Sequence, residues 1–196
     1  METSAASGAS AVGMVLAPGH RRTLSVDEAA RLRRYVPPGV LTVGVFLDQP
    51  LEEVLATVAA VGLDAVQLHG HEAEDYAATV REALPVIRAW NLDPPVPRAA
   101  DWLLLEPHAG RSGGAGHPWD WSRARGLKAG APVLLAGGLD PANVVTACEA
   151  ALPAGVDVSS GVEVDGWKDP SRIRLFCEAV QRWEEGRAQL AACGLA

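Results

Sequence analysis

The feature that most constrains this sequence is a regular alternation between short apolar runs and longer segments with helical periodicity. The apolar runs are rich in Val and Leu, as expected for parallel strands that are covered on both faces. Most of them are followed by a segment whose apolar residues recur every three or four positions. A chain of repeated strand–helix units is typical of a parallel α/β fold.

The alternation predicts the positions of the strands and helices. Strands are predicted at 11–17, 41–47, 65–68, 86–90, 102–105, 133–136 and 156–159. Helices are predicted at 25–35, 50–61, 72–84, 120–128, 141–151 and 169–185. Capping signals mark three helix starts: Ser25 three residues before Glu28, Asp140-Pro141, and Asp169-Pro170.

Two architectures repeat this unit, an open doubly wound sheet and a closed (β/α)₈ TIM barrel. The first strand is followed by Pro18-Gly19 and basic residues, without the G-x-G-x-x-G loop of a dinucleotide-binding sheet. Polar residues instead follow many strand ends, which favours the barrel. We therefore predict a single α/β domain of the TIM-barrel class over residues 1–186 and a C-terminal tail over 187–196. With 196 residues, the chain falls one strand short of a full barrel.

The composition restricts partners and compartment. The 24 acidic residues outnumber the 17 basic ones, and no basic stretch exceeds an arginine pair, which argues against nucleic-acid binding. The apolar run 11–17 is too short for a membrane span and lacks the positive flank of a secretory signal. The three cysteines lack metal-ligand spacing. We expect a cytoplasmic protein with reduced thiols and no membrane or nucleic-acid partner.

The last two strand ends carry the clearest ligand signal. Gly137 and Gly138 end one strand and lead into a helix, so backbone N–H groups and the helix N-terminus can face an anion. Ser160 and Gly161 follow the next strand. A phosphate site after the last two strands is common in TIM barrels. We predict that these four residues form such a site.

Other strand ends offer groups for proton transfer and recognition. Glu106 could donate a proton if it is withdrawn from water, and a solvated rim carboxylate is the alternative. Arg22 could form a bidentate pair with a substrate carboxylate, although spacing alone does not separate it from Arg21. His69 either faces the barrel mouth or is structural. The glycine-containing loop 107–119 is predicted to close over the mouth.

Several motifs occur in an order that is specific to one family. They lie at 11–22, 43–46 (Val-Gly-Val-Phe), 66–70 (Val-Gln-Leu-His-Gly), 113–121, 136–144, 156–163 (Val-Asp-Val-Ser-Ser-Gly-Val-Glu) and 168–170 (Lys-Asp-Pro). Together they resemble the phosphoribosylanthranilate isomerase family of tryptophan biosynthesis, whose members are TIM barrels. The resemblance runs from about residue 8 to residue 180.

The resemblance implies an Amadori rearrangement without a metal or an organic cofactor. N-(5-phosphoribosyl)anthranilate would become 1-(2-carboxyphenylamino)-1-deoxyribulose 5-phosphate, through acid-catalysed ring opening and base-catalysed removal of the C2′ proton. The family pattern assigns the anthranilate carboxylate to Arg22 and further substrate contacts to His69 and Asp157. It assigns the phosphate to Gly137, Gly138, Ser160 and Gly161.

Two departures from the family pattern concern the catalytic groups. Glu106 stands where the family has an aspartate as general acid, and a displacement of about 1 Å can cost on the order of 100-fold in rate. The family's general base is a cysteine in a Lys-Ile-Cys-Gly motif on the first strand, and this sequence has no such motif. We therefore expect the first strand, its cysteine and part of the first helix to be missing, Met1 to be a misassigned start, and isomerase activity to be low.

Two alternative functions stay open at this point. One is a related isomerase of another aminoaldose phosphate, such as the histidine-pathway substrate. The other is a non-catalytic barrel that only binds phosphate. In each case the expected partner is a phosphorylated small molecule, and the expected oligomeric state is a monomer or a weak homodimer.

Overall fold

A computed structural model describes residues 1–106 and 119–192. Its main sheet contains seven parallel strands: β1 (Ala11–Val15), β2 (Leu41–Phe46), β3 (Ala65–Leu68), β4 (Val86–Trp90), β5 (Trp102–Leu105), β6 (Val133–Leu135) and β7 (Gly155–Val156). The helices are α1 (Glu2–Ala6), α2 (Val26–Arg33), α3 (Leu51–Val61), α4 (Glu74–Ala83), α5 (Val144–Ala151) and α6 (Pro170–Ala192). A small antiparallel pair, β8 (Glu163–Val164) and β9 (Trp167–Lys168), lies between β7 and α6.

The strand order of the sheet confirms the predicted TIM-barrel class of fold. Each strand pairs in parallel with the next one along the chain, from β1 to β7. A doubly wound sheet would instead reverse its strand order at a switch point. Within the described residues β1 and β7 stand at the two ends of the sheet. All carboxyl strand ends therefore lie at one edge, where the predicted site residues follow them.

Three predicted helices differ from the observed ones. The helix predicted at 120–128 is only a 3₁₀ segment, Trp121–Ala124, because the backbone becomes extended at Arg125 and then left-handed at Gly126, with a φ of 70°. The helix predicted at 141–151 begins at Val144, since the Asp140 carboxylate first closes a turn by accepting the backbone N–H of Ala142 at 2.7 Å. The last helix continues to Ala192, so residues 187–192 of the predicted tail are helical.

The helix starts at Ser25 and Asp169 are confirmed by their side-chain hydrogen bonds. Ser25 Oγ accepts the backbone N–H of Glu28 at 3.3 Å, and the Glu28 carboxylate accepts the N–H of Ser25 at 2.9 Å. Asp169 accepts the backbone N–H of Arg172 at 2.8 Å. These bonds satisfy donors that the first helical turn leaves free.

Two aspartates tie the amino-terminal edge of the sheet together. Asp64, just before β3, accepts the backbone N–H of Thr42 on β2 at 2.8 Å. Asp101, just before β5, accepts the N–H of Val86 on β4 at 2.9 Å and pairs with Arg81 of α4 at 2.8 Å. The same kind of contact therefore joins β2 to β3 and β4 to β5. Both contacts lie at the amino-terminal ends of the strands, where polar residues of a barrel usually contribute to stability.

The apolar core consists of two clusters that meet along β4. Val86, at the start of β4, belongs to a cluster built on β1 to β4 and α2 to α4. Trp90, at the end of β4, belongs to a cluster built on β5, β6, α5 and α6. In residues 1–106 and 119–192, no helix is long and apolar enough to cross a membrane. The loop predicted to close over the mouth, 107–119, lies outside the described residues except for Trp119.

Candidate active site

Three polar side chains converge from the carboxyl ends of alternate strands. His69 follows β3, Glu106 follows β5 and Asp157 follows β7. In a TIM barrel, inward-pointing side chains from alternate strands lie at the same level along the barrel axis and form one layer. This explains why residues far apart in sequence converge. The His69 Nε2 atom lies 3.2 Å from a Glu106 carboxylate oxygen, and only 15% and 11% of the two side chains are exposed. Glu106 is therefore not a solvated rim carboxylate.

A second contact orients the His69 ring. The side-chain amide nitrogen of Gln67, on β3, lies 2.9 Å from His69 Nδ1. A neutral imidazole that accepts this amide hydrogen at Nδ1 carries its own proton on Nε2. In that tautomer the protonated Nε2 atom is the one that faces the Glu106 carboxylate at 3.2 Å, so Gln67 fixes the ring orientation in which His69 and Glu106 meet.

Asp157 completes the acidic part of this layer. The residue is exposed to solvent at the mouth, although many protein atoms lie near its carboxyl group. Desolvation raises the pKa of Asp157, and the nearby negative charge of Glu106 raises it further. The charge of Glu106 therefore adds to desolvation in disfavouring the ionised form of Asp157.

The structure separates Arg22 from Arg21. The Arg22 side chain is 23% exposed, and its Nη1 atom donates to Ser159 Oγ and lies 3.2 Å from a Glu163 carboxylate oxygen. The Nε atom of Arg22 is buried and has no hydrogen-bond partner among the described residues. The Arg21 side chain is 51% exposed. Of the two arginines, Arg22 is thus the one with a buried free donor near the mouth.

Glu163 lies at the centre of a cationic cluster formed by Arg21, Arg22 and Lys168. The carboxylate of Glu163 pairs with Arg21, and Lys168 Nζ lies 3.1 Å from its other oxygen. Lys168 Nζ also donates to the backbone carbonyl of Ser159 at 2.7 Å. Burial opposes ionisation of Glu163, but its contacts with Arg21 and Lys168 outweigh burial and lower its pKa.

The loops after β6 and β7 contain the four residues predicted to bind phosphate. Gly137 and Gly138 have positive φ angles of 81° and 69°, a conformation that turns successive backbone N–H groups toward a common side. Asn143 donates its side-chain amide to the Gly138 carbonyl at 2.8 Å, which holds this turn against the start of α5. Ser160 and Gly161 lie in a short 3₁₀ segment after β7.

Gly161 is where these two loops touch. A Cβ atom at this position would lie 1.8 Å from the backbone oxygen of Leu139, which no side chain can tolerate. The absence of a side chain at Gly161 therefore allows the loop after β7 to pack on the loop after β6. This contact brings both predicted halves of the phosphate site together.

The described cysteines lie away from these groups. Cys148 is buried on α5, where desolvation raises the pKa of its thiol to about 11, and Cys177 lies on α6. Neither stands at a strand end, whereas Cys193 is outside the described residues. Over residues 1–106 and 119–192, no cluster of three or more His, Cys, Asp or Glu side chains could hold a metal ion.

The sequence alone left three residues of the candidate site without a role: Gln67, Glu163 and Lys168. Strand alternation could have marked Gln67 as sharing a face with His69. Glu163 and Lys168 belong to the β8–β9 pair, which the sequence did not predict. Their meeting depends on that hairpin, so no local signal could reveal it.

Comparison with known proteins places this geometry in a family. The family described as PRAI, N-(5'phosphoribosyl)anthranilate (PRA) isomerase, matches residues 1–179. This chain belongs to the phosphoribosylanthranilate isomerase family. An N-(5'-phosphoribosyl)anthranilate isomerase of Desulforudis audaxviator is 45% identical over 183 residues, 89% of this chain and 88% of that protein. One from Streptococcus pneumoniae is 40% identical over 191 residues, 95% and 92% of the two chains.

Solved structures of phosphoribosylanthranilate isomerases share the fold. The enzyme from Thermus thermophilus is 36% identical and superposes with a TM-score of 0.82, over 92% of each chain. A second structure, 33% identical with a TM-score of 0.77 over 92% of this chain and 91% of that one, holds reduced 1-(o-carboxyphenylamino)-1-deoxyribulose 5-phosphate. The family reaction is the isomerisation of N-(5'-phosphoribosyl)anthranilate in tryptophan biosynthesis, so the chain is an isomerase by family.

Proposed function

We propose that this isomerase uses Glu106 as the general acid that protonates the furanose ring oxygen. The observation that carries this proposal is the contact between Glu106 and His69 inside the mouth, at the end of β5. A carboxyl group that is mostly withdrawn from water and lies against a polar side chain is positioned for proton transfer. The raised pKa of Asp157 supports the proposal, because the surroundings of this layer disfavour a further negative charge.

The remaining mouth residues bind the two anionic ends of the substrate in this proposal. Arg22 takes the anthranilate carboxylate, which agrees with its buried free Nε donor. Gly137, Gly138, Ser160 and Gly161 take the phosphate, which agrees with the left-handed glycine turn and with the contact between their loops. His69 and Asp157 contact the sugar between these ends.

The proposal extends to the surroundings of the enzyme. Its partner is the phosphorylated substrate, as in the related structure that holds a reduced product analogue. We place the enzyme in the cytoplasm, in keeping with free thiols at Cys148 and Cys177. We also propose that it acts as a monomer or a weak homodimer, without a nucleic-acid partner, a metal or an organic cofactor.

The test is substitution of the proposed acid. E106Q removes the transferable proton but keeps the size of the side chain, so kcat should fall by about 10²- to 10⁴-fold. The Kd for reduced 1-(o-carboxyphenylamino)-1-deoxyribulose 5-phosphate, measured by titration calorimetry, should change by less than about threefold because the shape of the site is kept. The exposed Glu52 on α3 supplies the control variant E52Q, which should leave both values unchanged.

Three outcomes of this test would contradict the proposal. Turnover by E106Q at the rate of the unaltered chain would exclude Glu106 as the acid. Analogue binding by the unaltered chain with no turnover would favour a non-catalytic phosphate-binding barrel. Preferential turnover of the histidine-pathway aminoaldose would favour the related isomerase.

A further inference from the structure

The contacts of Glu163 indicate a second role for the loop after β7. We propose that Glu163 is a positioning residue that holds Arg22 by its Nη1 atom and thereby presents the Nε–Nη2 edge of the guanidinium group to the carboxylate of the substrate. This inference rests on the proposed carboxylate-binding role of Arg22.

The contacts of Arg22 show which edge is occupied. Its Nη1 atom takes both protein contacts, the hydrogen bond to Ser159 Oγ and the 3.2 Å ion pair with Glu163. Its Nε atom is buried without a partner among the described residues. A guanidinium group binds a carboxylate in bidentate fashion through two adjacent donors in one plane. The contact with Glu163 therefore orients the plane and leaves one complete donor edge free.

The charges around Glu163 leave the cluster suited to an anion. Three cationic side chains, Arg21, Arg22 and Lys168, face this single carboxylate. The Glu163 side chain is 6% exposed, so its charge is screened little by solvent. Lys168 also bonds the Ser159 carbonyl at 2.7 Å, which holds the cluster on the loop after β7. The single negative charge of Glu163 holds the three cationic side chains in place but does not neutralise all of them. A carboxylate of the ligand therefore meets a net positive charge.

The local fold explains why Glu163 can act on Arg22 across the sheet. Arg22 follows β1 and Glu163 begins β8 after β7, and β1 and β7 are the two end strands of the described sheet. In the antiparallel β8–β9 pair Glu163 stands directly opposite Lys168. Glu163 thus has a fixed position relative to the loop after β7, and its contact with Arg22 fixes the guanidinium group that follows the other end strand, β1.

The experiment compares two ligands that differ only in the carboxylate. One is reduced 1-(o-carboxyphenylamino)-1-deoxyribulose 5-phosphate, and the other is its anilino counterpart without the carboxylate. The variants E163A, E163Q, R22A and E163A/R22A are titrated calorimetrically with both. Loss of one charge-assisted interaction weakens binding by about tenfold or more. E163A should weaken binding of the carboxylate ligand by that factor and leave the anilino ligand within about twofold.

The double variant shows whether Glu163 acts through Arg22. In the R22A background, E163A should cause no further loss of affinity for the carboxylate ligand. E163Q keeps a polar oxygen beside Arg22 Nη1 but loses the charge of the ion pair, so it should recover part of the affinity that E163A loses. Retained binding of the anilino ligand serves as the check that each variant is folded.

Several results would overturn the inference. Equal loss of both ligands in E163A and E163Q would show a merely structural role for Glu163. Tighter binding of the carboxylate ligand would show that Glu163 competes with the substrate for Arg22. If R22A itself does not discriminate between the ligands, the proposed role of Arg22 fails; if R22A discriminates and E163A does not, only the inference about Glu163 fails.

Discussion

At the scale of single residues, the mouth illustrates how the surroundings of an ionisable group decide its protonation. Asp157 and Asp101 have the same side chain and opposite pKa shifts. Desolvation and the charge of Glu106 raise the pKa of Asp157 at the carboxyl end of the sheet. Hydrogen bonds from Arg81 chiefly lower the pKa of Asp101 at the other end. Asp157 lies beside the proposed acid at the mouth, whereas Asp101 joins β4, β5 and α4 at the opposite edge of the sheet.

The two aspartates give a paired prediction about pH and stability. Because the pKa of Asp157 is higher in the folded than in the unfolded chain, ionisation of this carboxyl group at pH 7 favours unfolding. The variant D157N has no such group, so it should be more stable than the unaltered chain at pH 7. The pKa of Asp101 is lower in the folded than in the unfolded chain, so its ionised carboxylate stabilises the folded state at a pH above the unfolded-state pKa. The variant D101N loses this contribution and should be less stable at pH 7. Both differences should shrink as pH falls below the ordinary aspartate pKa of 3.8.

The measurement is urea denaturation of the three proteins between pH 3 and pH 8. D157N should also lose isomerase turnover, whereas D101N should keep it at temperatures where it is folded, because Asp101 lies at the opposite edge of the sheet. Stability curves of D157N and D101N that shift in the same direction at pH 7 would contradict the assignment of opposite pKa shifts.

At the scale of elements, the proposed phosphate-binding region depends on how two loops pack. The loop after β6 turns on left-handed Gly137 and Gly138, and the loop after β7 approaches it at Gly161. Neither loop forms the site alone, because the phosphate oxygens need donors from more than one direction. The close approach at Gly161 is therefore a requirement of the site and not only of the turn.

The prediction for this contact is that G161A displaces the two loops from each other. The added Cβ would lie 1.8 Å from the Leu139 carbonyl oxygen, so the backbone has to move. Loss of one phosphate hydrogen bond should raise the Kd for the reduced product analogue by about tenfold or more. Titration calorimetry measures this change.

Gly186 offers a matched control for the same substitution. It lies in α6, and no atom stands within 4 Å of the position of an added Cβ. G186A should leave analogue binding unchanged and stabilise the protein by about 0.5–1 kcal/mol, as alanine does within helices. Unchanged analogue binding by G161A would mean that the loop contact is not needed for the phosphate site.

At the scale of the whole molecule, the described sheet has two end strands and two apolar clusters. β1 bonds to β2 on one side, whereas β3 lies between β2 and β4. Alternate residues of β1 are exposed, while β3 is mostly buried. Side-chain contacts of Arg21 and Arg22 with Glu163 link the two ends of the sheet at the mouth.

This arrangement predicts unequal backbone protection along the sheet. Amides of β1 should exchange hydrogen at least about tenfold faster than those of β3, because a strand paired on one side opens at a lower free energy. Exchange followed by mass spectrometry with peptides covering residues 11–15 and 65–68 measures the difference. Equal protection of the two strands would show that another contact covers the edge of β1.

Local sequence determined the elements whose pattern is dictated by their own residues. The strands at 65–68, 86–90 and 102–105 were predicted with the observed bounds, because buried parallel strands require continuous apolar runs. The Ser25 cap was equally predictable, since both of its partners lie within one helical turn. The helix predicted at 120–128 was wrong, because the backbone becomes extended at Arg125 after a single 3₁₀ turn.

The sequence by itself therefore determined the fold class, the strand ends and the residue types that stand there. Only the tertiary structure decided that Arg22 rather than Arg21 keeps a buried free donor, that Gln67 orients His69, and that the unpredicted β8–β9 pair brings Glu163 to the mouth. The physical reason is distance along the chain. Hydrophobic periodicity and caps act within a few residues, whereas these contacts join loops that meet only when parallel strands align their carboxyl ends.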